Sequence, residues 1–236
     1  MKINIMSFNT QSCKNYLTGK LDYDIIADTI IKCNADIVGL QEIIEKDERP
    51  EYEGQVKKIA EKLGFYYYFA KAINTRENGT YGNALVSRFP ILDAETVKIP
   101  DPNPKKYNGY YETRCLLKAK INVADGLNVL VAHFGLNPDE QENAVNTVIN
   151  NLEENRLVLM GDFNAQPNNP VLLPIRDKLY DTSDKFSCEK LSWPSDNPTV
   201  KIDYIFTSRD LKVYSADIPE IVSSDHRPHI ATIEIN

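Results

Sequence analysis

Residues 157–162, Leu157-Val158-Leu159-Met160-Gly161-Asp162, constrain this chain more than any other stretch, together with the Phe163-Asn164 that follows. Four consecutive apolar residues read as a strand buried on both faces, which calls for further layers on either side of it. Gly161 then breaks the run, and Asp162 and Asn164 stand one residue apart. In extended backbone, residues two apart share a side, so the carboxylate and the amide aim together at whatever lies at the strand's end. Gly, Asp, Asn and the nearby Pro167 are also turn formers, so a plain turn is the competing reading.

The same pattern recurs along the chain. Residues 1–9 alternate like a strand that ends at Asn9. Leu21, Ile25, Ile26, Ile30 and Cys33 predict an amphipathic helix over about 21–33. Ala35 to Glu42 is a short apolar strand ending in a carboxylate. A second helix is expected over about 51–63, stopped by Gly64. An aromatic strand at 65–69, a loop at 74–82 and strands at 83–89 and 92–99 follow. Residues 110–121, which contain Arg114, are expected to pair with 127–133 across the Asp125-Gly126 hairpin signal, leaving His133 at a strand end. Pro138 opens a helix to about Leu152. A short helix near 171–178 precedes a strand at 200–206 carrying Asp203, another near 211–216, and a last one at 229–235 opened by Asp225-His226. No repeat or linker divides the chain, so residues 1–236 are expected to form one domain.

At 42% hydrophobic and 26% charged residues, the composition is that of a globular protein able to bury a sizeable core. No run has the roughly 18 apolar residues of a membrane helix. The N-terminus lacks a signal peptide's apolar block, so a cytoplasmic location is expected. Cys13, Cys33, Cys115 and Cys188 are widely spaced and read as reduced thiols, not a zinc site. A net charge of −7, with Lys57-Lys58 and Lys105-Lys106 the only short basic clusters, argues against long duplex DNA as the default substrate.

Each polar strand end, taken alone, has an ordinary structural reading. Their order along the chain is more specific. Phe8-Asn9, Gln41-Glu42, Gly82 to Arg88, His133, Gly161-Asp162-Phe163-Asn164, Ile202 to Phe206 and Ser224-Asp225-His226 together resemble the endonuclease/exonuclease/phosphatase superfamily over nearly the whole chain. The resemblance implies a four-layer α/β (α+β) sandwich, two mixed β-sheets packed face to face and flanked by helices.

The resemblance also implies roles. Glu42 would be the central ligand of a divalent metal, Mg²⁺ or Mn²⁺, supported by Asn9 and Asp225; hard oxygen donors suit those ions. Asp162 matches the residue that orients or deprotonates the attacking water, and Asn164 the amide that holds a phosphate oxygen. Asp203 matches the partner of the catalytic histidine, His226, which binds the phosphate or acts as the base. His133 matches a second histidine, as in deoxyribonuclease I and sphingomyelinase-type members, and Arg114 an arginine near the phosphate. Gln11 departs from the aspartate of abasic-site nucleases, which weighs against that subfamily and against a second metal. Asn83 is a candidate neighbour for His133.

The expected activity is metal-dependent hydrolysis of a phosphate ester, a phosphodiester or nucleic-acid fragment first. A phosphomonoesterase acting on a small polyphosphorylated molecule, such as an inositol phosphate or nucleotide, is the alternative. A binding protein that has lost catalysis is the third reading. No protein partner is expected, and the chain is expected to be monomeric. Trp193, with Pro194 and Tyr110-Tyr111, reads either as a platform for a base or ring, or as a loop anchor.

Overall fold

Strand alternation sorts the apolar residues of this chain into three separate layers of core. The computed structural model describes residues 1–235 other than 53 and 76–78. In chain order the strands are β1 (Lys2–Asn9), β2 (Ile37–Lys46), β3 (Tyr66–Asn74), β4 (Thr80–Ser87), β5 (Ile91–Lys98) and β6 (Cys115–Ile121). They continue with β7 (Leu127–His133), β8 (Leu157–Asp162), β9 (Tyr180–Asp181), β10 (Asp203–Thr207), β11 (Lys212–Asp217) and β12 (His229–Glu234). They form two six-stranded sheets, ordered β11-β12-β1-β2-β4-β3 and β5-β6-β7-β8-β10-β9.

One core lies between the sheets: Ile3, Ile5, Ile37 and Leu85 from the first face Leu117, Val129, Val131, Val158, Met160 and Ile205 from the second. The alternate residues point outward. Met6, Phe8, Val38 and Leu40 meet α1 (Tyr23–Lys32) and α2 (Gln55–Leu63), whereas Leu116, Leu130, Leu157 and Leu159 meet α3 (Pro138–Asn150) and α4 (Leu173–Lys178). Both faces of each central strand are therefore dry, which is why residues 157–160 are apolar without alternation. The result is the expected four-layer sandwich. Gly39 lets the sheets approach closely, since an added Cβ there would lie 2.7 Å from Met160 Sδ.

The helices follow their sequence signals. Asp22 caps α1 by accepting from the Ile25 N–H, and Gly64 ends α2 with a left-handed φ of 67°. Gly54, also at φ 67°, separates α2 from a short turn at Pro50–Tyr52, so the helix expected from 51 starts four residues later. Residue 53, and residues 76–78 of the loop expected at 74–82, lie outside the described set.

Several strand boundaries differ from expectation: β3 runs on to Asn74, past the expected 65–69, and β4 begins at Thr80 rather than 83. β2 does not end at Glu42 but runs on to Lys46 through a bulge, with the register to β4 shifting between Leu40 and Ile43. Residues 110–114 are not strand, because their side chains and backbone are engaged by the first turn of α3. Tyr111 Oη donates to Asp139 and the Glu112 N–H to Glu140 Oε1. Finally, β10 begins at Asp203 rather than 200, since Val200 is paired with Trp193.

Register places the polar ends at one rim. β1 and β2 are parallel, aligning Asn9 with Gln41, and β7 and β8 are parallel, aligning His133 with Asp162. β10 runs antiparallel to β8 and sets its first residue, Asp203, opposite Asp162. β12 runs antiparallel to β1, with His229 opposite Ser7, so the preceding Asp225-His226 turn hangs over the same rim.

Candidate active site

The rim encloses a cleft of about 570 Å³ lined by Glu42, Arg114, His133, Asp162, Asn164 and His226. Asp162 is its centre. This carboxylate is buried, accepts from the Asn164 N–H (2.9 Å) and from Asn9 Nδ2 (3.1 Å), and lies 3.4 Å from His133 Nε2 and 3.6 Å from His226 Nε2. Burial raises its pKa, and the charge of Asp203 adds to the rise. Gly161 permits this close placement: a Cβ there would stand 2.0 Å from the Ala132 carbonyl oxygen of the neighbouring strand. Asn164 sits in a left-handed turn (φ 46°), and its side-chain amide donates to the Phe134 carbonyl.

His226 and His133 flank Asp162 but differ in charge. His226 Nδ1 stands 2.8 Å from Asp203 Oδ2. Burial by itself would favour the neutral ring, but Asp203 and Asp162 more than offset it and push His226 up to about 10. It is an imidazolium at neutral pH. His133 Nδ1 instead faces Arg114 Nη1 at 3.0 Å. A guanidinium can only donate, so Nδ1 accepts and the ring proton sits on Nε2, directed toward Asp162. Burial, then the charges of Arg114 and His226, hold His133 well below the ordinary histidine range. The two rings thus present Nε2–H groups to the same Asp162 oxygen, one favouring the charged form and one the neutral.

Arg114 is fixed in turn by an ion pair to Glu112 (2.6 Å) and by the hydroxyl of half-buried Tyr81. The Arg114 pKa is raised: burial opposes the charge, but Tyr81, Glu112 and Glu42 outweigh it. Asn83, the expected neighbour of His133, is elsewhere. Its side chain donates to the Cys115 carbonyl between the sheets. Sequence reasoning missed Tyr81 and Glu112. Neither carries a local signal, because both meet Arg114 through tertiary packing and residues 110–114 are not strand.

Glu42 occupies the bulge in β2 with φ 61°, a left-handed backbone that turns its side chain into the cleft. Asn9 Nδ2 donates to it at 3.1 Å while also donating to Asp162, so one amide holds both carboxylates. Among the described residues no cationic side chain pairs with Glu42. Burial raises its pKa and Asp225 adds to the rise. A half-buried acid with a second acid acting on it and no ion-pair partner, its charge only partly offset by His226 and Arg114, is a donor set that fits a divalent cation. Asn9 presents its NH₂ to the carboxylates, and its oxygen accepts from the Gln11 N–H. A second group, Asp162, Asp203 and His226, also brings ligand atoms within 4.8 Å of one another, but the proton shared between His226 and Asp203 already accounts for it.

Buried carboxylates, a charged imidazole and a neutral one at the rim of a two-sheet sandwich define the class, a phosphoesterase of the deoxyribonuclease I-like fold. The sequence model of the Endonuclease/Exonuclease/phosphatase family matches residues 6–226, and the chain belongs to that family. No curated protein matches it by sequence. Among solved structures it is similar to an endonuclease/exonuclease/phosphatase from Beutenbergia cavernae (20% identity over 100% of this chain and 72% of that one, TM-score 0.81). It is also similar to ANGEL2, a 2′,3′-cyclic phosphatase in complex with adenosine-2′,3′-vanadate (16%, covering 99% and 95%, TM-score 0.77). A third is the mannosyl-6-phosphatase Bt3783 of Bacteroides thetaiotaomicron (16%, covering 99% and 100%, TM-score 0.76). At these identities the likeness is one of fold.

Proposed function

We propose that the chain is a divalent-metal-dependent hydrolase that prefers phosphodiesters. The observation that carries this reading is the approach of two imidazole Nε2 groups to one oxygen of Asp162, beside a Glu42 that forms no ion pair among the described residues. Glu42, Asp225 and Asn9 would hold Mg²⁺ or Mn²⁺, which supplies charge neutralisation and orientation of the phosphate. Asp162 orients and deprotonates the attacking water. His226, kept charged by Asp203, and His133, through its neutral Nε2–H, donate to phosphate oxygens, with Asn164 beside them. Arg114 holds the His133 tautomer rather than the phosphate itself.

Charge favours the diester. Among the described residues Arg114 is the only lysine or arginine lining the cleft, and Glu112 already pairs with it. One cation and one imidazolium match a singly charged diester better than a monoester dianion or a polyphosphate.

Hydrolysis of bis-p-nitrophenyl phosphate in Mg²⁺ or Mn²⁺ tests the proposal, with p-nitrophenyl phosphate as comparison. The diester should be the better substrate. Chelation, Glu42→Ala and His226→Ala should each lower the rate by about a hundredfold or more. A faster monoester would overturn the diester preference. Chelator-resistant turnover would overturn the metal dependence.

A further inference from the structure

Lys201 stands just ahead of β10, and the proposed chemistry makes no use of it. It is 5% exposed, with Nζ 3.2 Å from the centre of the Tyr204 ring and no hydrogen-bond partner among the described residues. An amine held over a ring recovers none of the hydrogen bonds it made to water. The acids that act on it are mostly engaged elsewhere. Asp181 of β9 is held by Arg176 of α4 at 3.1 Å, and Asp203 by His226 at 2.8 Å. Asp184, in the turn at Thr182–Lys185, acts on Lys201 without forming an ion pair. His229 of β12 is lowered to about 4, by burial first and then by Lys201 itself, so it stays neutral.

Lys201 lines a second cavity, of about 520 Å³, which shares only Val200 with the catalytic cleft. Ser183 lines it too, and its Oγ is another buried atom without a hydrogen-bond partner among the described residues. Phe186, Leu191 and Pro167 give the cavity an apolar side. Its volume suits a small organic molecule and exceeds what a bare inorganic ion needs. Charge narrows the choice. The other lysine of the lining, Lys190, already pairs with Asp217 at 3.0 Å, and Glu189 lines the same space, so one positive charge is left for a ligand. We infer that this cavity is a second site, separate from the catalytic cleft, for a small organic monocarboxylate that takes the Lys201 amine, as ammonium, and the Ser183 hydroxyl as its donors.

Benzoate, with benzamide as its neutral isostere, tests the site by nuclear magnetic resonance of the nitrogen-15-labelled full chain, without turnover. Benzoate should shift the amides of Ser183, Thr199 and Lys201 saturably, and benzamide should bind about tenfold more weakly or less, the cost of losing a charged hydrogen bond. Because burial first lowers the free amine to about 7, the apparent Kd of benzoate should rise about tenfold for each pH unit above that value. Lys201→Met should weaken benzoate about tenfold or more and flatten the pH dependence. Ser183→Ala should weaken it severalfold and keep the pH dependence, so the site stays testable if the lysine variant does not fold. No saturable shift with benzoate, equal binding of benzamide, or a pH dependence that survives in Lys201→Met overturns the inference. So does a response centred on Asn164 and His226, which would seat benzoate in the catalytic cleft.

Discussion

Lys201 is buried, two residues before Asp203, with its ammonium 3.2 Å above the centre of the Tyr204 ring and no hydrogen-bond partner among the described residues. Asp181, the nearby acid, is engaged by Arg176 at 3.1 Å. Burial therefore dominates and lowers the Lys201 pKa to about 7 from 10.5. Between those values the unfolded chain holds a proton that the folded chain has released. Unfolding then takes up a proton, and stability rises with pH by up to about 1.4 kcal/mol per unit. From pH 7.5 to 8.5 this amounts to about 1 kcal/mol, or ~2–4 °C in Tm for a chain of this size. The thiols of buried Cys13 and Cys115 and half-buried Cys33, raised to about 12, 11 and 11 respectively, work in the opposite direction as unfolded thiols begin to ionise. The wild-type curve alone is consequently not diagnostic, but its difference from Lys201→Met is, because the thiol contribution cancels. Urea denaturation at half-unit pH steps should show the variant more stable near pH 6.5, with its advantage shrinking by about 1 kcal/mol between pH 7.5 and 8.5. A difference that is flat with pH would refute the assignment of a mainly neutral, buried Lys201.

Two further substitutions probe the site's frame. Gly161→Ala puts a Cβ against the Ala132 carbonyl oxygen, a backbone atom, so β7 and β8 must separate; destabilisation of about 2 kcal/mol or more and loss of diester hydrolysis are expected. Gly39→Ala, which meets the flexible Met160 side chain first, should cost less in the same denaturation assay. Arg114→Met removes the donor to His133 Nδ1. Nitrogen-15 spectra should show His133 protonated at Nε2 in the wild type and mixed in the variant, with diester turnover at least about tenfold lower. A wild-type His133 protonated at Nδ1 would sink the tautomer argument.

Local sequence was enough to show the layers and most of the site. Residues 157–160 must be buried on both faces because they are apolar without alternation, and the alternation of Ile3, Ile5 against Met6, Phe8 separates two cores on either side of one strand. Asn9, His133, Asp162, Asp203 and His226 were legible as polar groups at strand ends, because the physics of a rim is written in neighbouring residues. Non-local register decided the rest. Glu42 read as a strand terminus, and only pairing with β4 reveals it as a bulge residue in the middle of a longer strand. Residues 110–114 looked like strand until acids on α3, some 28 residues away, claimed their hydrogen bonds. The neighbour of His133 Nδ1 is likewise an arginine 19 residues upstream rather than Asn83, and with burial it favours the neutral ring. At Gly161-Asp162, the stretch that most constrains the chain, sequence alone established a buried strand turning into a carboxylate. Which imidazoles that carboxylate meets, and with what protons, depended on strand register and on burial, and neither is a property of any single segment.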